Sequence, residues 1–186
     1  MISYAAVTFL AAFLLFLVQP LLAKAVLPWF GGSASVWTTS LVFYQTMLLG
    51  GYLYAHLSRR VGLRAQATLH VAVLLATLLA LPILPDPSWK PGGAEDPALH
   101  LLALLTVCVG APYLLLATTS PLLHDWFARS FPGRSPYVLY SVSNTGSLLA
   151  LLAYPFVVEP LWAVDAQASG WSWTYVLFVL GMGWIA

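Results

Sequence analysis

Long apolar runs follow one another along this chain with only short polar breaks between them, and that spacing constrains the fold more than any single motif. The first run covers about residues 4–26, and others follow over about 36–57, 65–84, 98–126, 137–158 and 171–186. Most of them reach the roughly 20 apolar residues that a helix needs to cross a hydrocarbon core about 30 Å thick. Lipid offers no hydrogen bonds to the backbone, so segments of this length have to satisfy their amides internally, as helices do. Of the 186 residues, 61% are hydrophobic and 7% are charged, against roughly 25% charged in a soluble domain. The expectation is an all-α, polytopic transmembrane bundle of about six helices, forming one domain over residues 1–186, with the lipid bilayer as its first partner.

The breaks carry the turn chemistry. Pro28-Trp29-Phe30-Gly31-Gly32 separates the first two runs, and a Pro, Asp and Gly cluster from Pro85 to Pro97 separates the third from the fourth. Pro112 and Pro121 fall inside the fourth run, where each removes a backbone donor and is expected to kink the helix or divide it into two half-helices. The last run opens at Trp171, and about 16 residues of helix rise only about 24 Å, so that span reads as cut short. The alternative is a tilted or partial helix completed by a partner chain. A signal peptide ending near Ala23-Lys24-Ala25 is disfavoured, because no Lys or Arg precedes the first apolar run.

Charge placement sets the expected orientation. Arg59, Arg60 and Arg64 lie between the second and third runs, and Arg129 and Arg134 between the fourth and fifth. The opposite loops carry Lys24 and Lys90 beside Asp86, Glu95, Asp96, Glu159 and Asp165. By the positive-inside rule the arginine loops and both termini are cytoplasmic. Trp29, Trp37, Trp89, Trp162, Trp171 and Trp173 fall near the expected outer ends, where indole rings settle at headgroup level. The formal net charge of +1, with no basic run, leaves no footprint for nucleic acid.

Polar residues inside apolar runs are the candidates for function, because burying them in lipid is costly unless they are paired or used. Gln19 and Lys24 lie toward the outer end of the first run, with Glu159 available as a carboxylate partner for Lys24 on the same side. Gln45 lies in the middle of the second run, ahead of Tyr52 and His56, which share a helical face. Thr118, Thr119 and Ser120 precede Pro121, either to present polar groups to a ligand or to satisfy carbonyls freed by the proline. In the fifth run Asn144 needs a partner, and Ser143 and Ser147 form a small-xxx-small pair that permits close helix approach. The candidate substrate-binding set is Gln19, Lys24, Gln45, Asn144 and Glu159.

Each of these residues also has a plainer reading, in interfacial snorkelling or helix packing. His56, His70, His100 and His124 lack ligand-type spacing, and Cys108 is the only cysteine, so no metal or cofactor site is expected. No nucleophile with a base, no catalytic carboxylate pair and no glycine-rich phosphate loop is present, so no enzymatic chemistry is expected of this chain.

Several ordered motifs carry a resemblance. Phe13-Leu14-Leu15-Phe16-Leu17-Val18-Gln19-Pro20-Leu21, Leu27-Pro28-Trp29-Phe30-Gly31-Gly32, Val36-Trp37-Thr38-Thr39, Thr119-Ser120-Pro121-Leu122-Leu123 and Ser143-Asn144-Thr145-Gly146-Ser147 resemble the membrane region of bacterial fused transporter and spermidine-synthase-like proteins. The resemblance implies an inner-membrane location and a fold like half of a major facilitator. It also implies a downstream synthase domain related to aminopropyltransferases, and a polyamine-like small molecule as the solute bound or transported. None of the synthase residues is found in this chain. The competing expectation is a non-catalytic accessory subunit packed against a larger membrane complex, and a homodimer is a further arrangement that would complete a transport path.

Overall fold

The computed structural model describes residues 1–93 and 96–186, so Glu95 of the outer-loop acids lies outside the described residues. The chain is all-helical there, with long helices α1 (Ile2–Phe30), α2 (Ala34–Ser58), α3 (Leu63–Ala80), α4 (Pro97–Ser130), α5 (Tyr137–Leu161) and α6 (Val164–Ile185). Four of them, α1, α3, α4 and α5, are long and apolar enough to cross a membrane. Helices α2 and α6, with 25 and 22 residues, are long enough but carry more Ser, Thr, Tyr, Trp and Gly.

Helix boundaries follow local chemistry. Ser33 caps α2 by accepting from the Val36 amide, and Asp96 caps α4 by accepting from the amides of Ala98 and Leu99 at 2.9 Å. In the polar loop before α4, hydrogen bonds from Ser88 to Asp86 hold that carboxyl below its ordinary range. The sixth helix begins at Val164, ahead of the Trp171 start expected from the apolar run. Its 22 residues rise about 33 Å.

The fourth helix is not split into two. It runs through both prolines, with one π turn at Thr106–Gly110 that ends two residues before Pro112. Helix α5 does the same, with a π turn at Tyr154–Val158 that ends two residues before Pro160. Each π turn contains the residue four before the proline, whose carbonyl would otherwise meet the proline ring. The hydroxyls of Thr118 and Thr119 both donate to the Leu115 carbonyl, at 2.6 and 3.1 Å, and leave the carbonyl freed by Pro121 to other groups.

Helices α1 and α4 are the centre of the bundle. The buried share of the apolar window is 67% for α4 and 17% for α5, which places α4 inside and α5 at the flank. Helix α1 packs against α4, α5 and α6, α2 runs along α4, and α3 contacts α4 and α6, with little direct contact between α2 and α5. Interchanging the first three helices with the last three leaves this pattern of neighbours unchanged. The two flanking contacts are made alike. A Cβ on Gly51 of α2 would lie 2.8 Å from the Leu114 oxygen and 2.7 Å from the Ala117 Cβ of α4, and one on Gly146 of α5 would lie 2.7 Å from the Phe9 oxygen and 3.4 Å from the Ala12 Cβ of α1.

Close approach through small residues is what holds helices together in lipid, where burial of apolar surface supplies no drive. Of the two readings open for Ser143 and Ser147, the close approach is made by Gly146, and both serines line a cavity instead. Ser147 also donates to the Ser143 carbonyl within its own helix at 3.0 Å. Trp171 is also not interfacial: it is buried, and its Nε1 donates to the Leu14 carbonyl of α1 at 2.9 Å. A second buried link joins α2, α3 and α4, where Gln66 donates to Ser58 Oγ at 2.8 Å and accepts from Trp126 Nε1 at 3.0 Å.

Both termini lie at one end, since Tyr4 and Ala186 line the same small cavity. The charges divide between the ends. Asp125 holds Arg59 and Arg129 at the end that carries the termini, whereas Lys24 meets Glu159 at the other.

Candidate functional site

Helices α1, α2, α4 and α5 line a central cavity of about 350 Å³ that is open as a groove between α2 and α5. Gln19 of α1, Gln45 of α2 and Asn144 of α5 all line it, so three of the five candidate residues, from three helices, are brought together. Gln19 is held in place by donating from Nε2 to Tyr113 Oη at 3.1 Å and, more weakly, to the Leu15 carbonyl at 3.4 Å. The partner expected for Asn144 inside the bundle is not there. Gln45 and Asn144 are both exposed to the groove and have no hydrogen-bond partner among the described residues.

Lys24 and Glu159 do not reach this cavity. They pair with each other at 3.1 Å, half exposed, at the end of the bundle away from the termini. That geometry fits the anticipated carboxylate partner for Lys24, and it separates both residues from the three amides. An exposed pair of this kind contributes at most about 1 kcal/mol in water.

Two further cavities adjoin the central one. The first, of about 440 Å³, shares Tyr52 and Tyr140 with it and reaches His56, Arg59 and Asp125. The second, of about 410 Å³, shares Gln19 and runs past Pro20, Ala23 and Tyr154 toward the Lys24 end. The three follow one another along the bundle, from the Arg59–Asp125 pair at one end to the neighbourhood of the Lys24–Glu159 pair at the other. At the first mouth Asp125 is nearly buried and bridges α2 and α4, while His124 packs on Tyr140 with ring centroids 4.1 Å apart.

Tyr113, Tyr140 and Thr8 line the central cavity and were not singled out from sequence. One readable pattern pointed toward part of this site. Gln19-Pro20-Leu21-Leu22 in α1 and Ser120-Pro121-Leu122-Leu123 in α4 each set a polar side chain on the cavity immediately before a proline. The two central helices thus repeat one device from opposite directions, because α1 ends near Lys24 and α4 ends near Asp125.

Chemically, the cavity offers amide and hydroxyl groups that both donate and accept, set beside the rings of Phe16, Tyr52 and Tyr113. It has the size and the mixture of apolar wall and few polar groups that characterise small-molecule sites. Comparison with protein-family models, with curated proteins and with solved structures returned no match to this chain.

Proposed function

We propose that this chain is a membrane-embedded domain that binds a small solute in the central groove and conducts it between the two ends of the bundle. The observation that carries the reading is the convergence of Gln19, Gln45 and Asn144 from three helices on one cavity that adjoins further cavities toward both ends. Polar side chains at mid-bundle are costly in lipid, and lining an aqueous path is one use that offsets the cost. The exchangeable arrangement of the two helix triplets agrees with a half-facilitator architecture, in which α2 and α6 also cross the bilayer. The arginine loops share an end with both termini, which supports a cytoplasmic assignment for that end in a bacterial inner membrane. The resemblance to the membrane region of the fused synthase-like proteins supports the same reading.

The test is aqueous accessibility at Asn144. In a Cys108→Ala background, which removes the buried native thiol, Asn144→Cys in native membranes should react with an uncharged, water-soluble methanethiosulfonate that carries a sugar group, whereas Leu152→Cys on the outward face of α5 should not. Equal inertness of both positions would overturn the groove reading.

A second reading has its own observation. Gln45 and Asn144 lie open on the side between α2 and α5, and a partner helix seated there would satisfy both amides. An accessory subunit or a homodimer would then shield Asn144→Cys until the complex is dissolved.

A further inference from the structure

We infer that the central groove is built for an uncharged, hydrogen-bonding solute and rejects polyamines and other cations; the inference rests on the groove being the solute site. Among the described residues that line the central cavity, none is Asp, Glu, Lys, Arg or His. The polar groups are the amides of Gln19, Gln45 and Asn144 with serine, threonine and tyrosine hydroxyls. Each of these groups pairs equally well with a donor or an acceptor, and none supplies a net charge.

The carboxylates nearest these cavities are already committed. Asp125 is nearly buried and neutralised by Arg59 and Arg129, and Glu159 is neutralised by Lys24. A polycation entering the centre would leave its hydration shell with no carboxylate to replace it, and a bare charge in a low-dielectric bundle is disfavoured far more than a neutral polar group. A neutral solute loses little, because Gln45 and Asn144, unpartnered and on opposite flanks, offer it donors and acceptors from two sides.

Size narrows the class further. A cavity of about 350 Å³ holds on the order of ten water-sized groups, which fits a monosaccharide, a cyclitol or a nucleoside. The rings of Phe16, Tyr52 and Tyr113 give such a molecule an apolar face to rest on. The faces of the same rings attract a monocation, so choline belongs in the test.

The experiment measures binding of glucose, myo-inositol, uridine, spermidine and choline to the detergent-solubilised full chain by calorimetry. It compares the wild type with Asn144→Asp and Asn144→Leu, each first shown to melt within a few degrees of wild type. At least one neutral probe should bind the wild type and lose affinity tenfold or more in Asn144→Leu, while spermidine should bind only Asn144→Asp. Spermidine or choline binding to the wild type, binding of none of the neutral probes, or failure of Asn144→Asp to gain spermidine would each overturn the inference. The accessibility of Asn144→Cys separates the two claims. An accessible groove with cation binding overturns the solute class alone, and an inaccessible groove overturns the site itself.

Discussion

The carbonyl oxygen of Phe9 lies 2.7 Å from where a Cβ on Gly146 would stand, so α5 approaches α1 at a distance that only glycine allows. This contact fixes the flank that carries Asn144, two residues earlier on the same helix. The equivalent approach of Gly51 to Leu114 and Ala117 fixes the flank that carries Gln45. The walls of the groove are therefore positioned by glycines that take no part in lining it.

Gly146→Leu should destabilise the bundle by about 1–3 kcal/mol, because the obstructing atom is backbone and cannot step aside. Gly170→Leu, where a Cβ would meet nothing within 4 Å, should change stability by less than about 0.5 kcal/mol. Thermal unfolding of both variants in one detergent checks the difference, and equal melting temperatures would contradict the close-approach account.

Tyr113→Phe removes the partner of Gln19 while keeping the ring. The expected loss of stability is about 0.5–1.5 kcal/mol, in line with a single hydrogen bond between membrane helices. The freed amide stays on the cavity, so the affinity of any solute that binds there should change by more than the melting temperature would imply.

The two ion pairs should respond unequally. Asp125 is nearly buried and serves two arginines, so Asp125→Ala is expected to cost about 1–3 kcal/mol. Lys24→Ala removes a pair that is 35% and 45% exposed, and a loss of less than about 1 kcal/mol is expected. Melting temperatures measured at low and high salt should show the Lys24 variant converging on wild type as salt rises. A larger effect for Lys24→Ala than for Asp125→Ala would reverse the assignment.

Trp171→Phe keeps most of the apolar volume but removes the donor to the Leu14 carbonyl. It should lower stability by about 1–2 kcal/mol, and the blue-shifted, quencher-protected component of the tryptophan fluorescence should shrink in the variant to what buried Trp126 supplies. Trp173, exposed at 73%, is the control whose replacement should leave both readouts nearly unchanged.

The class of structure follows from the order of residues alone. Uninterrupted apolar runs of about 20 residues force internal hydrogen bonding in lipid, and helices answer that demand whatever their neighbours are. The sequence also marked Gln19, Gln45 and Asn144, because an amide within such a run is conspicuous without any knowledge of packing. The partner of Lys24 was legible for a similar reason, since Glu159 is the acidic residue at the matching end of a neighbouring span.

Which of these residues meet depends on how the helices pack. Gln19, Gln45 and Asn144 converge because α1 and α4 are central with α2 and α5 at their flanks, and side-by-side order in a bundle leaves little trace in hydropathy. The same order buried Trp171 against Leu14, made Gly146 rather than Ser143 the point of contact, and left Lys24 and Glu159 away from the cavity. Pro112 was absorbed by a π turn, which depends on what the neighbouring helices allow a bent helix to pack against. In lipid every helix face is apolar enough to be buried or exposed, so specific contacts between surfaces, and not periodicity, choose the arrangement.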